Sequence, residues 1–225
     1  MKDQKIELVV FDMAGTTVDE DNVVYKTLRN AINKAGYDYS LNFVLEHGAG
    51  KEKKQAIIDI LAQDDINDIP LAEAIFSDFK VMLKKAYDEL AVTTYKDTEQ
   101  LFCNLKDKGI KVALNTGYDA KTANLLIDKL GWKVGEHIDM LVTASDVEHG
   151  RPGPDMINLV MENLGIKDSS SVIKVGDSII DIEEGKNANC GYSIGVTTGA
   201  HTREQLQTAN PDYIFDSLKE LESIL

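Results

Sequence analysis

Apolar positions along the chain follow two different periods. Residues 6–11 form a short run rich in β-branched side chains, of strand length, that ends abruptly on Asp12 and a small-small-hydroxyl turn, Ala14-Gly15-Thr16. The next seventy residues lack any comparable run. Val23, Val24, Thr27, Leu28, Ala31 and Ile32 recur at helical spacing, with Gly36 as a stop. Further helices are predicted over 41–46, 51–61 and 70–90, the second after the break Gly48-Ala49-Gly50 and the last opening near Pro70. From Tyr95 the pattern becomes regular: apolar strands at 110–114, 140–143, 172–175, 192–196 and 213–215 alternate with amphipathic helices.

That alternation predicts an α/β, Rossmann-like, doubly wound parallel sheet. Right-handed crossovers leave few topologies. The order 3-2-1-4-5, plus an edge strand, suits a central first strand. Four successive helices do not fit the alternation, so they are expected to form an inserted helical cap domain over 19–92. The α/β core would then comprise 1–18 and 93–225.

Composition narrows the partners. A formal charge of −14 over 225 residues argues against nucleic acid or an anionic membrane, while leaving room for a small anionic substrate in a locally cationic cleft. Cys103 and Cys190 stand far apart without CxxC spacing, so neither a disulfide framework nor a zinc site is indicated. Residues 1–5 carry no secretory apolar segment, and no run approaches membrane-spanning length. A soluble cytoplasmic protein is the expectation.

In the expected topology the ends of strands one, two and four line one crevice, where open α/β sheets bind ligands. Asp12 ends the first. The second ends in Thr116-Gly117-Tyr118, a hydroxyl and a glycine N–H suited to phosphate oxygens, or simply a turn. In Gly150-Arg151-Pro152-Gly153-Pro154 the prolines rigidify a loop around one arginine, whose fork of donors can bridge a phosphoryl group and a carboxylate. The fourth strand ends in Gly176-Asp177-Ser178, with Asp181 one helical turn later. One of these acids can cap the following helix. Both together, with Asp12, form an all-oxygen set suited to Mg²⁺. His137, His149 and His201 lack metal-ligand spacing and are expected at the surface; Trp132 is expected to pack, and Asp19 to order the loop that enters the helices.

The four segments Asp12-Met13-Ala14-Gly15-Thr16, Thr116-Gly117-Tyr118, Gly150-Arg151-Pro152 and Gly176-Asp177-Ser178 with Asp181 resemble, in order, the motifs of the haloacid dehalogenase superfamily. Ala14, where general phosphatases carry a second Asp, and Arg151, where they usually carry lysine, are similar to its phosphonatase branch. The resemblance implies Asp12 as nucleophile and Mg²⁺ held by Asp12, Asp177, Asp181 and the Ala14 carbonyl. It further implies Thr116 and Arg151 as catalytic groups, and substrate contacts from Ala14, Gly15, Thr16, Gly48, Gly117 and Tyr118.

Ala14 cannot protonate a leaving group. An enamine formed through a lysine imine would need no such proton. In the family that lysine stands three residues after a glycine near a cap-helix start, which points to Lys51 after Gly48. The positive end of the helix and the like charge of Lys54 would lower its pKa, with Lys53 pointing away. Two cap positions, His47 and Lys54, depart from the family pattern of methionine and histidine. The implied activity is cleavage of the C–P bond of phosphonoacetaldehyde or a related 2-oxoalkylphosphonate. The alternatives are a phosphatase acting on a small phosphate ester (a sugar phosphate or a phosphoglycolate-like compound) and a catalytically silent phosphate-binding protein. The family's habit of pairing through cap helices implies a homodimer.

Overall fold

The computed structural model describes residues 5–225; residues 1–4, most of the segment read for a leader, lie outside the described residues. Strand β1 (Leu8–Asp12) leads through the two-residue β2 (Val18–Asp19) into four helices: α1 (Val23–Lys34), α2 (Leu41–Gly48), α3 (Lys53–Ala62) and α4 (Ile69–Glu89). β3 (Thr93–Thr94) returns antiparallel to β2, so the two connections run side by side as a short ribbon. Then follow α5 (Thr98–Asp107), β4 (Lys111–Thr116), α6 (Ala120–Lys129), β5 (Met140–Thr143), α7 (Asp155–Leu164), β6 (Val172–Gly176), α8 (Ile179–Asn187), β7 (Tyr192–Val196), α9 (Arg203–Thr208) and β8 (Tyr213–Phe215).

Six parallel strands make one sheet in the order β5-β4-β1-β6-β7-β8, the expected topology with β8 as the edge. β1 is central and every residue in it is buried. Successive side chains point to opposite faces of a strand. Val9 and Phe11 therefore pack with Leu101, Phe102 and Leu126 in one layer, while Leu8 and Val10 meet Met156, Ile157 and Val160 in the other. Asp12 pairs in register with Asn115, so the first acid and the end of β4 reach the same crevice.

The helix starts are set by local chemistry. Ser40 caps α2 by accepting from the Phe43 N–H, and Asp68 caps α4 by accepting from the Leu71 N–H, with Pro70 in the first turn. α3 begins two residues later than the pattern predicts. Gly50 adopts φ +77°, which interrupts the helix, and Glu52 then caps it by accepting from the Gln55 N–H. This shift changes which lysine faces inward. None of the described helices is long and apolar enough to cross a membrane. Cys103 and Cys190 are both free.

Candidate active site

Asp12, Asp177 and Asp181 converge at the strand ends with carboxylate oxygens all within 4.8 Å of one another, and all three are buried. Asp181 is reached through helix geometry. Ser178 caps α8 by accepting from the Asp181 N–H, and the Asp181 carboxylate accepts from the Ser178 N–H in return. The helix-cap reading is therefore true of Asp181, yet its other oxygen still faces the crevice.

Arg151 enters from the loop before α7. Its Nη1 lies 2.6 Å from Asp12 Oδ1 and 3.0 Å from Asp181 Oδ1, and its Nε lies 3.0 Å from Glu184 Oε2. Its Nη2 donates to Asn115, to the carbonyl at 2.8 Å and Oδ1 at 2.5 Å. Beneath it Lys174, fully buried, donates to Asn115 Oδ1 at 2.6 Å and pairs with Asp181 and Glu184 at 3.0 and 3.2 Å. Two cations thus offset Asp12, Asp181 and Glu184.

Asp177 has no such partner among the described residues. It accepts from the Ala200 N–H at 2.6 Å and from the Thr16 hydroxyl at 3.4 Å. Burial, then the charges of Asp12 and Asp181, push its carboxyl well above the usual range. Burial also raises Asp12, although Arg151 pulls the other way. Burial acts upward on Asp181 too, but there Arg151 and Lys174 prevail and its carboxyl is lowered. A buried carboxylate without a counter-charge, beside two more carboxylates, suits a hard divalent cation.

Gly15 is required where it stands. Its φ is +86°, and an added Cβ would fall 2.2 Å from Asp177 Oδ2. Thr17 donates to the Asp12 carbonyl, which secures the same turn. Ala14 borders the cleft together with Asp12, Thr116, Gly117, Tyr118, Arg151 and Asp177.

The four helices close this cleft from the other side. A Cβ on Gly117 would meet the Gly50 and Lys51 carbonyl oxygens at 3.1 Å, so the Gly50 turn rests on the phosphate-type loop. Gly48 does not reach the cleft. Its Cα packs toward Ala56 and Ile60, and Gly50 borders the cleft in its place.

The structure places the cap lysines differently from the expectation. Lys51 precedes α3, and its Nζ turns to Asp59 Oδ2 at 2.5 Å, while Lys54 pairs with Glu73 at 2.8 Å. Lys53, expected to point away, is 5 % exposed and borders the cleft with Asp12. Its Nζ donates to the Lys51 carbonyl at 2.6 Å and stands 4.9 Å from the Tyr25 ring centroid and 5.3 Å from that of Tyr118. Burial pulls its pKa from 10.5 down to about 8, against the opposing pull of Asp12. The sequence held the signal. Residues 53, 56, 57, 60 and 61 form one helical stripe, and Lys53 continues the buried face of Ala56, Ile57, Ile60 and Leu61. It also stands three residues after Gly50, the spacing that Lys51 has from Gly48.

Other residues at the site carry no motif. Glu20, just past β2, accepts from the Val24 N–H and from the Tyr87 and Tyr118 hydroxyls, joining α1, α4 and the loop after β4. Burial raises its carboxyl to about 8. A group raised in this way favours the folded state at low pH, and that contribution is lost as pH climbs from about 4.5 to 8. Glu20→Gln is therefore expected to match the wild type in thermal midpoint near pH 5 and to exceed it by a growing margin up to pH 8. A pH series of melting curves checks this. His201, expected at the surface, is buried: its Nδ1 accepts from the Ile179 N–H and its backbone N–H donates to the Asp177 carbonyl. His149 is exposed, Trp132 packs on Phe102, and the Asp19 carboxylate accepts from the Asp21 N–H in the entry loop.

A nucleophile-type aspartate at the end of a central parallel strand, with two more acids and an arginine converging on it, defines a haloacid dehalogenase-like hydrolase. The chain matches that family over residues 9–207, and it belongs to it. It is 32% identical to a phosphonoacetaldehyde hydrolase of Parabacteroides distasonis, across 96% of this chain and 87% of the relative. It is 26% identical to the pyrophosphatase PpaX of Bacillus velezensis, across 98% and 97%. Among solved structures, a phosphonoacetaldehyde hydrolase-like protein from Oleispira antarctica superposes with a TM-score of 0.83 at 23% identity, covering 97% of this chain and 91% of that one. The superfamily resemblance carried by the four motifs is borne out.

Proposed function

We propose that this hydrolase cleaves the C–P bond of phosphonoacetaldehyde or a related 2-oxoalkylphosphonate, with Lys53 rather than Lys51 as the imine-forming amine. The observation that carries this reading is a buried amine with its pKa lowered to about 8, sharing one small cleft with Asp12, at a site where Ala14 offers no acid for a leaving group. The helices α1–α4 act as the cap.

Neutral Lys53 adds to the substrate carbonyl and, with one proton taken up from solvent, water leaves and a protonated imine remains. An Asp12 oxygen then forms a bond to phosphorus as the C–P bond breaks. The electron pair of that bond moves into the carbon chain and neutralises the iminium as an enamine. Protonation of the enamine carbon and hydrolysis of the imine release the carbonyl product and restore Lys53. Water frees phosphate from the aspartyl ester and restores Asp12. Arg151, the N–H of Gly117 and the Thr116 hydroxyl would stabilise the charge that builds on the transferring group. Asp12, Asp177, Asp181 and the Ala14 carbonyl would hold Mg²⁺, whose chemistry is to screen the phosphoryl oxygens from the attacking carboxylate.

Reduction with borohydride in the presence of phosphonoacetaldehyde is expected to leave a stable adduct that peptide mass mapping assigns to Lys53. Phosphate release with Lys53 unmodified would remove the imine from the reaction. The phosphatase relatives favour a second reading, hydrolysis of a phosphate ester. It would be supported by turnover of sugar phosphates that survives Lys53→Ala.

Mg²⁺ binding has its own readout. At a hundredfold excess over Kd the ion is expected to raise the melting temperature by about 5–10 °C. Protons compete for the raised carboxyls of Asp12 and Asp177, so the shift grows as pH rises. Asp177→Asn is expected to abolish it.

A further inference from the structure

A cavity of about 410 Å³ opens beside the cleft, and the two meet at Lys53, Gly117 and Tyr118. The cleft holds the acids. The cavity is walled by Phe76, Phe79, Leu83 and Tyr87 of α4 and by Leu125 of α6, with Tyr118 between the two spaces. Lys53 borders both spaces, so a phosphonate with its phosphoryl group at Asp12 and its carbonyl at Lys53 has its carbonyl carbon at their boundary. For a substituent on that carbon the adjoining open space is the cavity.

The mouth of the cavity is cationic in a chain that is acidic overall. Lys80 and Lys84 of α4 and Lys121 of α6 line it, and no carboxylate lies within ion-pair distance of any of the three among the described residues. Lys80 rests over the Phe76 ring at 4.7 Å. The acids that also border the cavity are occupied, since Glu52 caps α3 and Asp119 caps α6 by accepting from the Thr122 N–H. Three ammonium groups lining a cavity with apolar walls suit an anion carried on an apolar chain.

We infer that the physiological substrate is an elongated 2-oxoalkylphosphonate, a ketone whose carbonyl carries a hydrophobic chain ending in a carboxylate or similar anion, held by the α4–α6 cavity. This rests on the proposed C–P cleavage for the identity of the reacting end. The cavity itself can be tested without it.

Inert alkylphosphonates without a carbonyl report the cavity alone, with the Mg²⁺-loaded full chain and calorimetry as readout. Burial of methylenes is worth about tenfold in affinity for every two. Heptylphosphonate, about six methylenes longer, is thus expected to bind about 1,000-fold tighter than methylphosphonate. 7-Phosphonoheptanoate should gain about a further three- to fivefold that fades in high salt and in the Lys80→Ala/Lys84→Ala/Lys121→Ala variant. Leu83→Trp, which fills the cavity, should remove most of the chain-length gain. A flat affinity series in the wild type overturns the inference whether or not Leu83→Trp folds.

Turnover separates the two claims. Cleavage of phosphonoacetaldehyde alongside a flat series sinks this inference and spares the reaction. A steep series with no turnover of phosphonoacetaldehyde or of 2-oxoheptylphosphonate sinks the reaction and leaves the cavity's selectivity standing. If both hold, kcat/KM for 2-oxoheptylphosphonate should exceed that for phosphonoacetaldehyde by tenfold or more.

Discussion

Lys53→Ala is expected to lower kcat/KM for C–P cleavage by about 10³–10⁴-fold, because the carbon framework then has no electron sink when the bond to phosphorus breaks. Lys53→Arg should be nearly as inactive. A guanidinium keeps the charge and much of the contact with the Tyr25 and Tyr118 rings, but it stays protonated and forms no imine. Lys51→Ala removes an ion pair with Asp59 that is about a quarter exposed on each side, so its effect should stay within about threefold. The pH profile adds an independent check. Only the neutral amine attacks a carbonyl, so kcat/KM for the wild type should rise with pH up to about 8 and level off above it. Equal loss in the Lys51 and Lys53 variants, or a profile flat between pH 6 and 9, would count against Lys53 as the amine.

Asp12→Asn is expected to abolish phosphate release, a loss of about 10⁴-fold or more, since the amide oxygen is a feeble nucleophile toward phosphorus. The variant also bears on the imine. Lys53 remains, so borohydride with phosphonoacetaldehyde should still trap the adduct even though no phosphate appears. That split separates carbon–nitrogen chemistry from phosphorus chemistry in one protein. In the wild type with Mg²⁺, beryllium fluoride should bind at Asp12 as a mimic of the phosphorylated carboxylate, and Asp12→Asn should lose it. Absence of that adduct in the wild type would favour a phosphate-binding protein without turnover. The substitution also leaves Arg151 Nη1 with one carboxylate partner instead of two, Asp181, so a melting curve should accompany the kinetics.

The chain by itself determined the sheet, its order and the acid cluster. Strands in a parallel sheet are buried on both faces, so they read as continuous apolar runs. Asp12, Thr116 and Asp177 stand where those runs stop, at the strand ends that topology brings together. Arg151 was legible because two prolines mark its loop. The partners behind it were not. Lys174 and Glu184 lie in segments that add to the family resemblance, but neither they nor Asn115 has a role legible in the sequence, and only the packing of β4, β6 and α8 sets them around Arg151. Glu20 and His201 are polar residues whose burial depends on what the helices and neighbouring loops lay over them.

The choice between Lys51 and Lys53 was a matter of helical phase. Each residue along a helix turns the side chain by about 100°, so a two-residue error in where α3 starts exchanges the inward and outward faces. Gly50 and the Glu52 cap fix that start, and the contact of the Gly50 turn with Gly117 carries Lys53 to the cleft. Local sequence specifies which residues carry the chemistry at strand ends. Which amine meets them depends on how one helix docks against a loop far away along the chain, and only tertiary packing decides that.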